Sequence, residues 1–335
     1  MIVDAFTHIV PASYLEKLSA LGGAAIKEKV EKALGFVKGR PHAIDPVRRV
    51  ALLKKYGIDY QGITLMHNLD VNVLSVARSK LLKVAQATND GLAGLMEQSK
   101  GKLLGVGAVP MLALGDGGLK EMERAIKGLG LKGFCLPSNI FGKPIDAPEF
   151  GIFWAKAVEL GVPVFIHPTN PQDPSSRPYE NQYDMTHVFG WPFETVLMLS
   201  RLVFSGIMEK YPTLNVVSHH LGGGMVPFLF GRIEESYIAE NQERVLGRKL
   251  SKSLKDLYGR FYYDTAVGGN ASAVKCCYDV FGADRMLLCT DSPHGPKGGE
   301  VRLESYPRIV RECGIPKAAV DKILGGNAQK LLKIK

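Results

Sequence analysis

Eight short apolar runs recur along this 335-residue chain, at residues 1–7, 58–66, 103–110, 131–137, 162–167, 214–219, 261–265 and 286–290. Each is nearly continuous in apolar residues, as parallel strands buried on both faces are. Stretches with helical spacing lie between them, at 46–56, 79–100, 117–129, 149–160, 194–211, 225–240, 271–281 and 300–313. Strands alternating with helices imply βαβ units. Eight such units in a chain of this length predict an α/β fold of the (β/α)8 TIM-barrel type, one domain over residues 1–335. Joints such as Leu160-Gly161-Val162-Pro163 read as helix stops leading into strands. Two insertions break the rhythm, at about 9–45 after strand one and about 168–193 after strand five. The second is rich in Pro, Asn, Gln, Ser and Tyr and is expected to order over an active-site mouth.

Composition narrows the function. Hydrophobic residues are 46% and charged residues 22%, which is ordinary globular content, enough for a sizeable core. Lys and Arg number 42 against 33 Asp and Glu, giving +9, which raises the question of nucleic acid. The basic residues are dispersed, however. The densest groups, Lys27 to Arg40 and Arg248 to Lys255, are interleaved with apolar residues at helical spacing. They read as solvated helix faces, without any nucleic-acid motif. The five cysteines are odd in number and form no Cys-x-x-Cys pair, so a reduced, cytoplasmic setting is expected. The first ten residues lack a basic stretch, and no apolar run reaches 18 residues. Neither a signal peptide nor a membrane span is expected.

The histidines fall where barrel chemistry gathers, at the strand ends. His8 ends run one, His67 run two, His167 run five, and His219 with His220 run six. Asp264 and Asp291 close runs seven and eight. His42, His187 and His294 lie in loops. One strand-end histidine is usually a hydrogen-bonded structural residue, and Asp291 alone could cap a turn. Together they can surround one divalent cation. The end of run four, Phe134-Cys135-Leu136-Pro137, offers no lysine to carbamylate and bridge two metals, so the centre should be mononuclear.

Five ordered segments carry a resemblance. They are residues 3–11 (Val-Asp-Ala-Phe-Thr-His-Ile-Val-Pro), 164–168 (Val-Phe-Ile-His-Pro), 218–233 (Ser-His-His-Leu-Gly-Gly-Gly through Gly-Arg-Ile), 288–293 (Leu-Cys-Thr-Asp-Ser-Pro) and 323–332, with its Gly-Gly-Asn-Ala. In these the chain resembles the amidohydrolase superfamily over nearly its whole length. The branch is the one holding 2-amino-3-carboxymuconate-6-semialdehyde decarboxylase and aromatic-acid decarboxylases. The resemblance implies that His8, His167 and Asp291 hold one divalent metal ion, zinc by expectation. It makes His220 the catalytic histidine with His219 as its rival, and Asp291 a second proton carrier. Arg49 would grip a substrate carboxylate. Arg232 would enter a partner's site in a homodimer or else form a helix salt bridge. Trp191 would stack on a planar substrate or pack in the core, and His67 and His294 would line the substrate site or substitute as ligands.

One departure stands out. The family places a His or Glu ligand two residues before His8, and here that residue is Phe6, which has no donor atom and is expected to line the substrate site instead. The expected centre is then His, His and Asp with open positions for water or substrate, or a weakly held metal. The implied function is non-oxidative decarboxylation of an aromatic or unsaturated small-molecule carboxylate. The alternatives are a hydrolase or hydratase of a lactone, amide or enol-acid on the same scaffold, and a non-catalytic barrel.

Overall fold

A computed structural model describes residues 1–169, 183–220, 222–239, 246–247 and 249–334. Strands form at the apolar runs, β1 extending two residues past its run and the others lying within theirs: β1 (Val3–Ile9), β2 (Tyr60–Leu65), β3 in two pieces (Leu103–Gly105 and Gly107–Ala108), β4 (Phe134–Pro137), β5 (Val164–His167), β6 (Val216–Ser218), β7 (Tyr262–Asp264) and β8 (Met286–Leu287). The ladders between successive strands are parallel. Where β3 is interrupted, the Val106 N–H donates to the Ile63 carbonyl and the Gly107 N–H to that of Gly133, each at 2.8 Å, joining β2 to β4. The two edges also meet. Ala5 N–H donates to the Leu288 carbonyl and His8 N–H to that of Ser292, both at 2.8 Å. The result is the (β/α)8 barrel, with short strands because both faces are covered and little length is needed to bury each side chain.

Local chemistry sets the joints. Asp45 caps the helix Pro46–Lys55, accepting from the N–H groups of Val47 and Arg48, with Pro46 in its first turn. That helix buries Pro46, Arg49 and Leu53 along one stripe. Gly161 ends the helix Gly151–Leu160 in a left-handed conformation (φ 61°), as the Leu-Gly-Val-Pro joint predicts. The 117–129 stretch is less regular than its spacing suggests. Only Leu119–Glu123 is α-helical, between single wider turns at Leu114–Gly118 and Arg124–Gly128. The insertion after β1 folds as helices Ala12–Ala20 and Ala24–Lys38, which close a core of their own with Tyr14, Leu18, Ile26, Val30, Leu69 and Val84. Half of the insertion after β5, residues 170–182, lies outside the described residues.

The barrel interior is a separate apolar cluster, including Ala5, Phe6, Phe165, Val217, Leu287 and Cys289, with Ala328, Leu331 and Leu332 from the C-terminal helical segment packed onto it. The Gly-Gly-Asn-Ala segment has a structural use. Asn327 donates through Nδ2 to the carbonyls of Ala283 (2.7 Å) and Met286 (2.8 Å), tying the chain end to β8. β1 carries a bulge. Its register against β2 slips between Asp4 and Thr7, so Ala5 and Phe6, neighbours in sequence, both pack into the interior cluster. Gly62 opposite is required there, since a Cβ would collide with the Ala5 carbonyl oxygen.

Candidate active site

The strand ends deliver a ring of imidazoles. His8 Nδ1 donates to the Leu65 carbonyl (3.2 Å) and lies 3.1 Å from Thr64 Oγ1, which leaves Nε2 facing Asp291 Oδ1 at 3.3 Å. Among the described residues, His8 Nε2, Asp291 Oδ1 and His294 Nε2 are buried without a hydrogen-bond partner. One donor atom each from His8, Asp291 and His294 lies within 4.8 Å of the others. Three buried donors sharing one space fit a divalent cation, since uncompensated polar atoms are otherwise costly to bury. Asp291 and His220 both adopt left-handed backbone, at φ 61° and 49°. Non-glycine residues hold that conformation at a cost of about 1–3 kcal/mol, typically at functional sites.

The trio within ligand spacing is not the expected set of His8, His167 and Asp291. His294, expected to line the substrate site or substitute as a ligand, joins His8 and Asp291 within ligand spacing. His167 adjoins them. Its ring is 5.2 Å from that of His8, its Nδ1 bonds the Pro168 carbonyl at 2.7 Å, and its Nε2 lies 3.4 Å from His220 Nε2. His67 stacks on His167 at 4.6 Å, and both line one cavity with His8, Asp70, Cys135 and Thr169. Trp191 begins the helix Trp191–Phe204 and sets its ring 5.2–5.5 Å from those of His67, His167 and His220.

Three expected roles meet different surroundings. Phe6 does not line the cavity. It is fully buried, packed under the ligands against Phe165 and His219, with its ring 5.0 Å from that of His8. Arg49 is fully buried too, and it does not line the cavity. Its Nε donates to Gln61 Oε1 (2.5 Å) and its Nη2 to the Ser292 carbonyl (3.1 Å), with the His8 carbonyl in looser contact at 3.5 Å. The guanidinium joins strand ends instead of facing a substrate carboxylate. Gln61 passes the link on to Asp4 (2.7 Å), which accepts from the Thr290 N–H and hydroxyl. His219 is sealed between Phe6 and Asp264, with Nδ1 3.2 Å from Asp264 Oδ2. The same carboxylate accepts the His220 N–H at 3.1 Å. Arg232 is exposed on the helix Gly222–Ala239.

Arg302 escaped the sequence reading. It lies in the first turn of the helix Glu300–Glu312 and donates to Asp291 Oδ2 at 2.6 Å. A cation at a helix N-terminus opposes the helix dipole, so an arginine there signals a nearby carboxylate.

Burial governs protonation. It pushes His67, His167 and His219 well below the ordinary histidine value, lowers His220, and takes His294 down to about 4. Burial would raise Asp291, but His220, His8 and His294 outweigh it and hold the carboxyl well below its usual range. Neutral imidazoles around an ionised carboxylate are the protonation states a metal ligand set requires.

A (β/α)8 barrel whose strand ends gather imidazoles and a carboxylate around one cation-sized space defines a class of metal-site barrel proteins. The amidohydrolase family model matches residues 3–334, and the chain belongs to that family. It is 28% identical over 341 residues to 2-amino-3-carboxymuconate-6-semialdehyde decarboxylase of Dictyostelium discoideum, covering 98% of this chain and 91% of that one. It is 27% identical to gamma-resorcylate decarboxylase of a Polaromonas species, covering 86% and 87%. The crystal structure of 5-carboxyvanillate decarboxylase from Novosphingobium aromaticivorans, complexed with manganese and 4-hydroxy-3-methoxy-5-nitrobenzoic acid, superposes with a TM-score of 0.82. Identity there is 21%, over 100% of this chain and 96% of that one, and the likeness shows the shared fold.

Proposed function

We propose that this protein is a metal-dependent, non-oxidative decarboxylase of an aromatic or unsaturated carboxylic acid. The observation that carries the reading is the trio of His8, Asp291 and His294, with buried donor atoms that lack partners, set beside His167 and His220. Decarboxylase relatives that span most of the chain support it. His8, Asp291 and His294 would hold the ion, with His167 as the fourth side chain at the centre and zinc as the occupant we expect. When bound, such an ion supplies Lewis acidity toward a substrate oxygen.

The remaining work belongs to the chain's own residues. The bond from carbon to carboxylate breaks, CO2 leaves, and the electron pair stays on a carbon that must take up one proton. His220 relays that proton, taking one from solvent and passing it to the carbon as CO2 leaves. Its imidazole is neutral at pH 7 because burial lowers it, and it faces both His167 and Trp191. His219, sealed against Phe6, acts with Asp264 as a positioning residue for the turn that presents His220. Arg302 orients Asp291, and Trp191 provides a flat wall for a planar acid and keeps bulk water from the imidazoles.

The test is CO2 release from a panel of aromatic and unsaturated acids, with metal content measured in parallel. Activity that survives complete metal removal and is full in both His220→Ala and His8→Ala would overturn the reading. Ring opening or amide cleavage without CO2 would move the chain to the hydrolase reading.

We further propose a homodimer. Val188, Phe189, Phe193 and Leu197 form an exposed apolar stripe, Phe228 lies exposed on the helix Gly222–Ala239, and Arg232 follows one turn after Phe228. Phe228→Asp should lower the mass measured by light scattering from two chains to one. A cytoplasmic location fits the five free thiols. No helix among the described residues is long and apolar enough to cross a membrane.

A further inference from the structure

The insertion after β1 closes on the loop that carries His294. That loop runs from Ser292 to Gly299, and both its ends are tied. The Ser292 carbonyl accepts from the His8 N–H at 2.8 Å and from Arg49 Nη2 at 3.1 Å. At the far end, Glu300 Oε2 accepts from Lys55 Nζ (2.8 Å) and the Tyr56 hydroxyl (2.7 Å). Between the ties the backbone is unusual. Gly295, Lys297, Gly298 and Gly299 all have positive φ, at 96°, 50°, 64° and 87°. Such a backbone keeps one shape only where its neighbours over-determine it. One such neighbour is His42, on the turn Pro41–Ala43, whose Nε2 donates to the Gly298 carbonyl at 2.8 Å. His42 is buried, and a Cβ on Gly298 would lie 3.0 Å from His42 Cε1, so the two are packed as well as bonded. Phe36 is another. It lies on the helix Ala24–Lys38, with its ring 5.2 Å from that of His294, and the Arg40 guanidinium rests over it at 4.2 Å.

We propose that His42 is a positioning residue for the metal centre: through the Gly298 carbonyl it sets the loop that brings His294 within ligand spacing of His8 and Asp291. The inference rests on the metal site proposed above and extends it to a residue outside the ligand set. The chain needs such a device because Phe6 has no donor atom. His294 completes the trio from a loop, where ladder bonds do not fix it as they fix His8 on β1. Ligand atoms have to sit within about 0.2 Å of their ideal distances to hold a metal, and a glycine-rich loop has other shapes close in energy. The bond from His42 removes those alternatives. The insertion thus serves the site from outside, Phe36 confining the His294 ring and His42 the backbone that carries it.

The test is a double-mutant cycle on metal affinity. Dissociation constants for Zn2+ and Mn2+ are measured by chelator competition on metal-stripped protein, for the wild type, His42→Leu, His294→Ala and the pair. His42→Leu removes the donor and keeps most of the volume, whereas His42→Gln keeps a donor near the place of Nε2. His42→Leu alone should weaken binding about 10- to 100-fold, and His42→Gln by less than about threefold. In the His294→Ala background, His42→Leu should weaken binding by less than about threefold, because the residue through which it acts is gone. A general loosening of the structure would weaken binding equally in both backgrounds, and that result overturns the inference. So does unchanged affinity in His42→Leu, or in His294→Ala, which would leave the ion to His8, His167 and Asp291. Where His42→Leu does not fold, His42→Asn repeats the comparison with His42→Gln, since its shorter amide does not reach the Gly298 carbonyl. CO2 release is measured separately. A cycle that holds while no acid releases CO2 upholds the inference and sinks the decarboxylase reading. CO2 release with equal losses in both backgrounds does the reverse, and a wild-type protein that holds neither ion overturns both.

Discussion

Arg49→Met separates a clamp from a substrate grip. The side chain is wholly buried, and methionine fills a similar unbranched volume without donors. Two bonds at clear hydrogen-bond distance disappear, Nε to Gln61 Oε1 (2.5 Å) and Nη2 to the Ser292 carbonyl (3.1 Å), while the 3.5 Å contact to the His8 carbonyl is too long to count. Bonds from charged donors contribute about 1.5–3 kcal/mol each, so the loss should be about 3–6 kcal/mol. That is a large share of the roughly 5–15 kcal/mol available to a folded protein. Arg49→Lys should fall between, since an ammonium lacks the planar fork that reaches two acceptors at once. The assay is urea unfolding of metal-free protein, with KM measured on the folded fraction. The unfolding midpoint should drop with little change in slope, and KM for a carboxylate substrate should stay within about threefold. A wild-type midpoint with KM raised tenfold or more would refute the reasoning and return Arg49 to the substrate.

Phe6→His restores a donor atom beside His8, at the cost of a buried aromatic contact with Phe165. Chelator competition should show metal held at least tenfold more tightly, while the native activity falls; unchanged affinity would mean that residue 6 cannot reach the ion. Arg302→Met removes the 2.6 Å bond that orients Asp291. Loss of such an outer partner weakens metal affinity about 10- to 100-fold, and equal affinity in the two proteins would count against its orienting role. Asp70 also makes a pH prediction. Burial lifts its folded value from 3.8 to about 6, so the native state binds the extra proton and stability is favoured below pH 4 and lost as pH rises through 6. The shift amounts to about 3 kcal/mol. In urea titrations of metal-free protein, the stability of the wild type relative to Asp70→Asn should therefore decline between pH 4 and 7. A flat difference would contradict the burial argument.

The scaffold was legible because strands covered on both faces leave an unmistakable trace, and because a histidine or aspartate ending such a run falls at the barrel mouth or, like His219, just beneath it. What the pattern could not carry were loop conformations. His294 reaches the trio through a turn in which Asp291 is left-handed, and no periodicity reports that. Arg49 and Phe6 were misplaced for a related reason. A motif names a residue type, whereas Arg49 finds its acceptors on β2 and after β8, and Phe6 enters the interior only because β1 bulges. Arg302 left no apolar trace at all, since what matters is the Asp291 carboxylate that it reaches in the preceding loop.

The bulge in β1 reverses the inside–outside phase of the strand partway along. Below it, Val3 and Ala5 pack inward; above it, Phe6 does, and with it the alternation that carries His8 to the mouth. A straight strand continuing the phase of Val3 and Ala5 would turn Thr7 inward and His8 toward the helices. The position of a site imidazole thus depends on a missing methyl group on the neighbouring strand, at Gly62. Transplanting the ligand segment into another barrel without its paired glycine would deliver the right residues facing the wrong way.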